Sequence, residues 1–303
     1  MLTVNNYHYI RSNFQASYAS IFGLTPVAFE NQLIALKTTG VFIHPNELLL
    51  NPDKILKSEE NYILITFDDG LKEHYELALP ILKKLSIPAL FFINTINHMD
   101  KKVSLVHKIH LVRSVEAPAT LYTSLKIFTN QELSAEQVQT AIRFYRFDET
   151  ESAAFKYLLN VVLDYEIQEK FIDHLFLSHF DEKVVLQDLY MDTDQVKELM
   201  DLGYVGSHTH SHLPLGCYDF DTIKRELSIS KKFLENLSNK TIDFVSYPYG
   251  TEEAVTRSVA STAKEVGYKF GFTTKPLINN KDVDYLMLHR FDCNDSIGGK
   301  NYK

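Results

Sequence analysis

The residues of this sequence best suited to chemistry are two adjacent carboxylates, Asp68 and Asp69, and three histidines in five residues, His208, His210 and His212. Asp68-Asp69-Gly70 ends the apolar run Ile63-Leu64-Ile65-Thr66-Phe67, which reads as a buried strand. Neighbouring carboxylates repel, and both stay ionised at modest cost only beside a positive charge such as a metal ion. On its own this octet reads equally as a solvated turn. His208 and His212 follow a glycine-flanked strand, and their spacing of four can bring two imidazoles onto one metal. Tyr247-Pro248-Tyr249-Gly250 also follows an expected strand; its proline fixes the backbone and leaves the Tyr249 amide free to face a ligand. One Asp with two His leaves open positions on a Zn²⁺-like ion, as hydrolytic sites do. The adjacent Asp that does not bind the metal is then placed to take a proton from water.

Bringing these three segments together needs a frame that ends its strands at one place. Leu2 to Ile10 reads as a first strand. Pro26 to Thr39 reads as a helix with Thr25 as its N-cap. Phe42-Ile43-His44 is a short strand and Pro45 to Leu50 a short helix. The Asp-Asp strand, a helix over Glu73 to Leu85 and the strand Ala89 to Ile93 form a βαβ unit. From Asp192 the rhythm resumes, with strands expected at 203–206, 242–245, 268–273 and 285–292 and helices at 196–202, 219–237 and 251–266. Repeated βα units predict a parallel α/β barrel with its site at the C-terminal strand ends. Residues 98–188 interrupt it with helices at 103–113, 135–145, 152–163 and 167–179, the second opened by a Ser134-x-x-Gln137 capping box. This stretch is expected to be a helical insertion within a single domain spanning 1–303, serving as a lid, a recognition element or a homo-oligomer surface. The pairs His107/His110 and His174/His179 lie within it, without a carboxylate cluster nearby, and read as packing or surface histidines.

Composition bounds the remaining choices. A chain of 303 residues with 45% hydrophobic and 23% charged residues is globular, and a net charge of −8 argues against nucleic acid or anionic membrane as partner. Cys217 and Cys293 make no disulfide framework. No stretch approaches the roughly 18 apolar residues of a membrane span. The first residues lack the basic and apolar regions of a secretory signal, so a cytoplasmic location is expected.

Thr66-Phe67-Asp68-Asp69-Gly70, His208-Thr209-His210-Ser211-His212 and Tyr247-Pro248-Tyr249-Gly250 together resemble the first three motifs of the polysaccharide deacetylases of the NodB homology type (carbohydrate esterase family 4). The resemblance covers roughly 1–97 and 189–292. Tyr7-His8 and Phe29-Glu30-Asn31-Gln32-Leu33 resemble the N-terminal part of branches acting on poly-N-acetylglucosamine. It implies a distorted (β/α) barrel and a divalent metal, usually Zn²⁺, with Co²⁺, Ni²⁺ or Mn²⁺ as alternatives. By the same resemblance Asp69, His208 and His212 match the metal ligands and Asp68 the catalytic base. Tyr247, Pro248 and Tyr249 match one wall of the sugar groove, with the Tyr249 amide helping to hold an oxyanion. The implied reaction is hydrolysis of an N-acetyl group of an acetamido sugar or glycan, releasing acetate; with a cytoplasmic location expected, the substrate is expected to be a cytosolic nucleotide- or lipid-linked precursor of a polysaccharide.

The departures are specific. Ser246 stands where the third motif usually has an arginine that orients the base, and the sequence has no tryptophan for the fourth motif. Leu286-Met287-Leu288-His289 resembles the fifth motif, whose histidine is the general acid, but Arg290 follows. On a regular strand His289 and Arg290 face opposite ways. Arg290 is therefore expected to replace the missing arginine beside Asp68, with His289 as acid only if the strand bulges or ends there. A hydrolase of non-sugar amides and a catalytically impaired sugar-binding protein are the competing readings.

Overall fold

The protein's structure, a computed structural model, describes residues 1–13 and 23–302. By contact these divide into two units, one of 1–13, 23–102 and 186–302 and one of 103–185. The first is built on parallel strands: β1 (Leu2–Tyr7), β2 (Val41–Phe42), β3 (Tyr62–Phe67), β4 (Ala89–Ile93), β5 (Val205–Ser207), β6 (Phe244–Ser246), β7 (Phe270–Phe272) and β8 (Phe291–Asp292). Their order is β7-β6-β5-β4-β3-β1-β8, with β2 beside β3. A parallel bridge from Leu288 to Phe272 carries the chain before β8 back to β7. The result is the expected distorted (β/α) barrel, its last wall made of two short pieces. Where the sequence predicts a strand over 285–292, Tyr285–Met287 is a 3₁₀ turn and only Phe291–Asp292 pairs as strand. Asp284 caps that turn, accepting from Leu286 N at 2.9 Å, which commits the backbone to turn rather than ladder.

Alternation along the strands sorts side chains between two environments. Val4, Leu64, Leu90, Phe92, Phe244, Phe270, Phe272 and Leu288 share one apolar cluster. The intervening residues face the other way: Phe67 stacks on Phe91 at 4.8 Å and meets Phe29 of the helix Pro26–Leu36 edge-on at 5.7 Å. Gly206 lies in the inner set, opposite Phe92 in register. A Cβ there would sit 2.6 Å from the Phe92 ring, so glycine makes room for it. The helix expected over 73–85 begins as a π turn, His74–Ala78, before its α-helical part Leu79–Leu85.

The second unit is helical, with Leu105–Val115, Pro118–Thr129, Ala135–Phe144, Thr150–Tyr157 and Tyr165–His179. Leu121, Leu125, Phe155, Phe171 and Phe176 are buried in it. The Ser134/Gln137 capping box forms, with Gln137 N donating to Ser134 Oγ at 3.2 Å and Ser134 N to Gln137 Oε1 at 2.9 Å. Lys108, almost wholly buried, donates to Asp173 and pairs with Glu182, both at 2.8 Å. Among the described residues no helix is long and apolar enough to cross a membrane.

Candidate active site

The inward set of each strand changes from apolar to polar as the strands reach their C-terminal ends. Val4 is followed two residues on by Asn6 and then His8, Leu64 by Thr66 and Asp68, Phe244 by Ser246, and Leu288 by Arg290. The period of two thus stacks a polar layer on the apolar cluster, and the guanidinium of Arg290 lies over Phe92 and Phe272 at 5.7 and 5.9 Å.

Arg290 is 1% exposed and binds Asp68 with both arms: Nη1 to Oδ1 at 2.9 Å and Nη2 to Oδ2 at 2.7 Å. Its remaining donors reach Ser246 Oγ at 2.8 Å, Asn6 Oδ1 at 2.9 Å and the Thr273 carbonyl at 3.0 Å. Asn6 Nδ2 in turn donates to Asp68 Oδ2 at 3.0 Å. Burial alone would raise the Asp68 pKa, but Arg290, His208 and His8 outweigh it and hold the carboxyl well below the usual carboxylate range. Ser246 therefore touches the guanidinium that now arrives from residue 290, and its small side chain leaves space for it.

Asp69, His208 and His212 converge beside this pair. Nε2 of each imidazole lies 3.4 Å from Asp69 Oδ1, and one ligand atom from each residue falls within 4.8 Å of the others. Tetrahedral bonds of about 2.0–2.1 Å place neighbouring ligand atoms about 3.3–3.4 Å apart. His208 Nδ1 lies 2.8 Å from the Ser246 carbonyl, which only accepts, so Nδ1 carries the proton and the neutral ring turns its Nε2 lone pair towards Asp69. Two acceptors face each other there unless a positive charge intervenes. Burial opposes a positive charge at His208, yet Asp68 and Asp69 outweigh it and raise its pKa, so the site favours positive charge there, carried by a proton on Nε2 or by an ion in its place. The donor set fits a divalent ion such as Zn²⁺. Among the described residues it is the one group of three such side chains placed to hold a metal. His107 and His110 lie 6.0 Å apart by ring centre within the helical unit, and His179 pairs with Glu116 at 2.8 Å.

The loops holding these residues are strained. Eight described non-glycine residues have positive φ, and four of them are Asp69 (78°), Thr209 (63°), His212 (61°) and Tyr249 (64°). Left-handed backbone disfavours a β-carbon, so its concentration here marks segments set by function rather than propensity. The Tyr249 ring meets His212 edge-on at 5.1 Å. Among the described residues its backbone N–H meets no acceptor. Tyr247 departs from expectation: it is 1% exposed and its hydroxyl donates to the Leu286 carbonyl at 3.0 Å, so it supports the loop from the core and has no surface for a ligand.

His289 and Arg290 do face opposite ways, the first half-buried and the second enclosed. Among the described residues His289 makes no hydrogen bond or ion pair with the cluster; its backbone is clasped by Asn279 at 2.7 and 2.9 Å. Of His8 and His289 it is His8 that approaches Asp68, with Nε2 3.9 Å from Oδ2 and its side chain 37% exposed. His8 follows the last residue of β1 and continues the inward parity that runs from Val4 through Asn6. The His8 carbonyl accepts from Nε2 of His74, whose pKa burial lowers to about 4, keeping that ring neutral.

Known proteins resemble this chain in sequence and in fold. Residues 56–142 and 144–271 match the polysaccharide deacetylase family profile. The chain is 23% identical over 256 residues to YxkH of Bacillus subtilis (strain 168), a protein named provisionally as a polysaccharide deacetylase; the match covers 84% of this chain and 59% of YxkH. Among solved structures, the fold is similar to the Streptococcus pyogenes deacetylase PplD in complex with acetate (TM-score 0.59, 19% identity, 96% of this chain and 91% of that one). It is likewise similar to IcaB from Ammonifex degensii (TM-score 0.54, 19% identity, 96% and 90%). The family profile spans well over half of the sequence and includes all three strand-end motifs, and the chain belongs to the polysaccharide deacetylase family.

Proposed function

We propose that the protein is a metal-dependent carbohydrate N-deacetylase, hydrolysing the N-acetyl group of an acetamido sugar in a polysaccharide or in its nucleotide- or lipid-linked precursor. The observation that carries this reading is the adjacency of two carboxylates with different partners: Asp69 beside two imidazoles, Asp68 in the grip of Arg290. A divalent ion held by Asp69, His208 and His212 would polarise the substrate carbonyl and make water more acidic.

Asp68 is the general base. Its carboxylate is ionised throughout the neutral range, and Arg290 and Asn6 fix its plane so that a lone pair of Oδ1 is left for the proton of the attacking water. A carboxylate so stabilised is a weak base, so turnover also depends on the water being acidified. The Tyr249 N–H, which meets no acceptor among the described residues, donates to the oxygen that gains charge as the carbonyl carbon becomes tetrahedral. His8, close to Asp68 and open to solvent, supplies the proton the leaving amine needs. Pro248 and Tyr249 form a wall of the sugar groove. The relatives named as deacetylases support the reaction class.

The test is acetate release. Purified protein with added Zn²⁺ or Co²⁺ should release acetate from chitin oligomers or from nucleotide- or lipid-linked N-acetylhexosamines, and not from formamides or cyclic amides. Turnover of the amides alone would reject the sugar reading, and binding of sugars without acetate release across the panel would reject catalysis.

A further inference from the structure

The helix Phe220–Ser238 buries Ile223, Glu226, Leu227, Ser230 and Leu234 on one stripe. Two of these are polar where a helix of this pattern ordinarily places apolar side chains. Glu226 is 1% exposed, and its one cationic neighbour among the described ion pairs is the adjacent, largely exposed Arg225, at 4.0 Å. Burying a carboxylate this way is costly unless its oxygens are well used. Both are: Oε2 accepts from Ser211 N at 2.7 Å and Oε1 from Ser211 Oγ at 3.0 Å.

Ser211 immediately precedes His212, whose φ of 61° is left-handed. One helical turn on, Ser230 Oγ meets Ser207 Oγ at 2.6 Å, and Ser207 Oγ accepts from Thr209 N at 3.1 Å. Ser207 immediately precedes His208. The helix therefore grips the chain directly before each of the two histidines, at 207 and at 211, through side chains four residues apart. Neither grip touches an imidazole; each fixes the backbone from which one projects.

We propose that Glu226 is a positioning residue that sets the geometry of the His208/His212 pair by clamping Ser211 and so stabilising the strained backbone at His212. The assignment rests on the metal-site reading above, and its test reads metal affinity rather than activity alone. In Glu226→Gln the amide oxygen still accepts from Ser211 N while its NH₂ donates to Ser211 Oγ, so both contacts survive with the hydroxyl reversed. In Glu226→Ala both are lost, and in Ser211→Ala only one.

Zn²⁺ dissociation constants would be measured by chelator competition on chelator-stripped protein, with the Co²⁺ visible spectrum and apo-protein melting followed in parallel. The expected result is affinity weaker by about 10–100-fold in Glu226→Ala, as for other residues that orient ligands indirectly. Ser211→Ala should weaken it less, and Glu226→Gln should return to within a few-fold of the parent with an unchanged Co²⁺ spectrum. If Glu226→Ala does not fold, Ser211→Ala and Glu226→Gln decide: parent affinity in Ser211→Ala overturns the proposal. So does Glu226→Ala that folds and binds Zn²⁺ as tightly as the parent. A parent protein that binds Zn²⁺ but releases no acetate would defeat the deacetylase reading while leaving this ordering of affinities to stand or fall separately; one that binds no Zn²⁺ defeats both.

Discussion

Arg290 and Asp68, 222 residues apart in sequence, form a two-armed ion pair with contacts of 2.9 and 2.7 Å inside the polar layer of the barrel. The pair joins the last strand segment to the third strand and fixes the orientation of one carboxylate while Asp69 turns the other way. Breaking a buried pair by removing one partner costs about 3–5 kcal/mol, because the remaining charge is left without compensation.

Arg290→Ala should therefore lower both stability and turnover. The folded-state pKa of Asp68 is depressed, so the pair contributes stability above the ordinary carboxylate pKa and loses it as pH falls through the lower folded value. Without Arg290, burial dominates and the carboxyl pKa rises. The acidic limb of kcat/KM should then move to higher pH, which a pH–rate profile of the variant would measure. An unmoved limb with full turnover would remove Arg290 from the mechanism.

Asp68→Asn separates base from ligand. Metal content, read by elemental analysis, should stay near that of the parent, while turnover falls by about 10²–10⁴-fold. Loss of metal in this variant would mean that Asp68 also coordinates.

His8 and His289 make opposite predictions. His8→Ala should cost about 10²-fold or more in kcat with metal binding intact, since it alone of the two lies near Asp68. His289→Ala should change kcat little. Single-turnover kinetics on both variants would expose a reversal of these roles.

Gly206→Ala tests the frame rather than the chemistry. The new Cβ would lie 2.6 Å from the Phe92 ring and 3.1 Å from the Phe244 carbonyl. Overpacking of this kind costs about 1–3 kcal/mol, visible as a lower thermal midpoint.

Much of this site was legible in the sequence because its parts are local: Asp68-Asp69-Gly70, the His208–His212 loop and Tyr247 to Gly250 each end an apolar run. Arg290 could be expected beside Asp68 once Ser246 was seen to lack a guanidinium. Tyr247 could not be told from Tyr249 by type, since a left-handed φ at Tyr249, invisible in sequence, turns one ring out and leaves the other in the core. Parity from Val4 through Asn6 puts His8 on the inward face, but nothing in its local sequence marks it as a partner of Asp68, 60 residues further on. Tyr285-Leu286-Met287 has strand-like composition, yet Asp284 caps it as a turn, so the last strand is shorter than its sequence suggests. The helix Pro118–Thr129 carries little periodic signal, because its buried stripe is only Leu121 and Leu125, with Ile127 and Phe128 left exposed.

The central claim is that Asp69, His208 and His212 hold one ion that hydrolysis requires. Its most direct test is stepwise titration of metal-free protein with Zn²⁺ while acetate release from an N-acetylated glycan is followed, with His212→Ala alongside. Activity should rise to a plateau at one equivalent in the parent, and His212→Ala should neither retain metal through gel filtration nor turn over. Full activity in metal-free protein, or stoichiometric metal retained by His212→Ala, would contradict it.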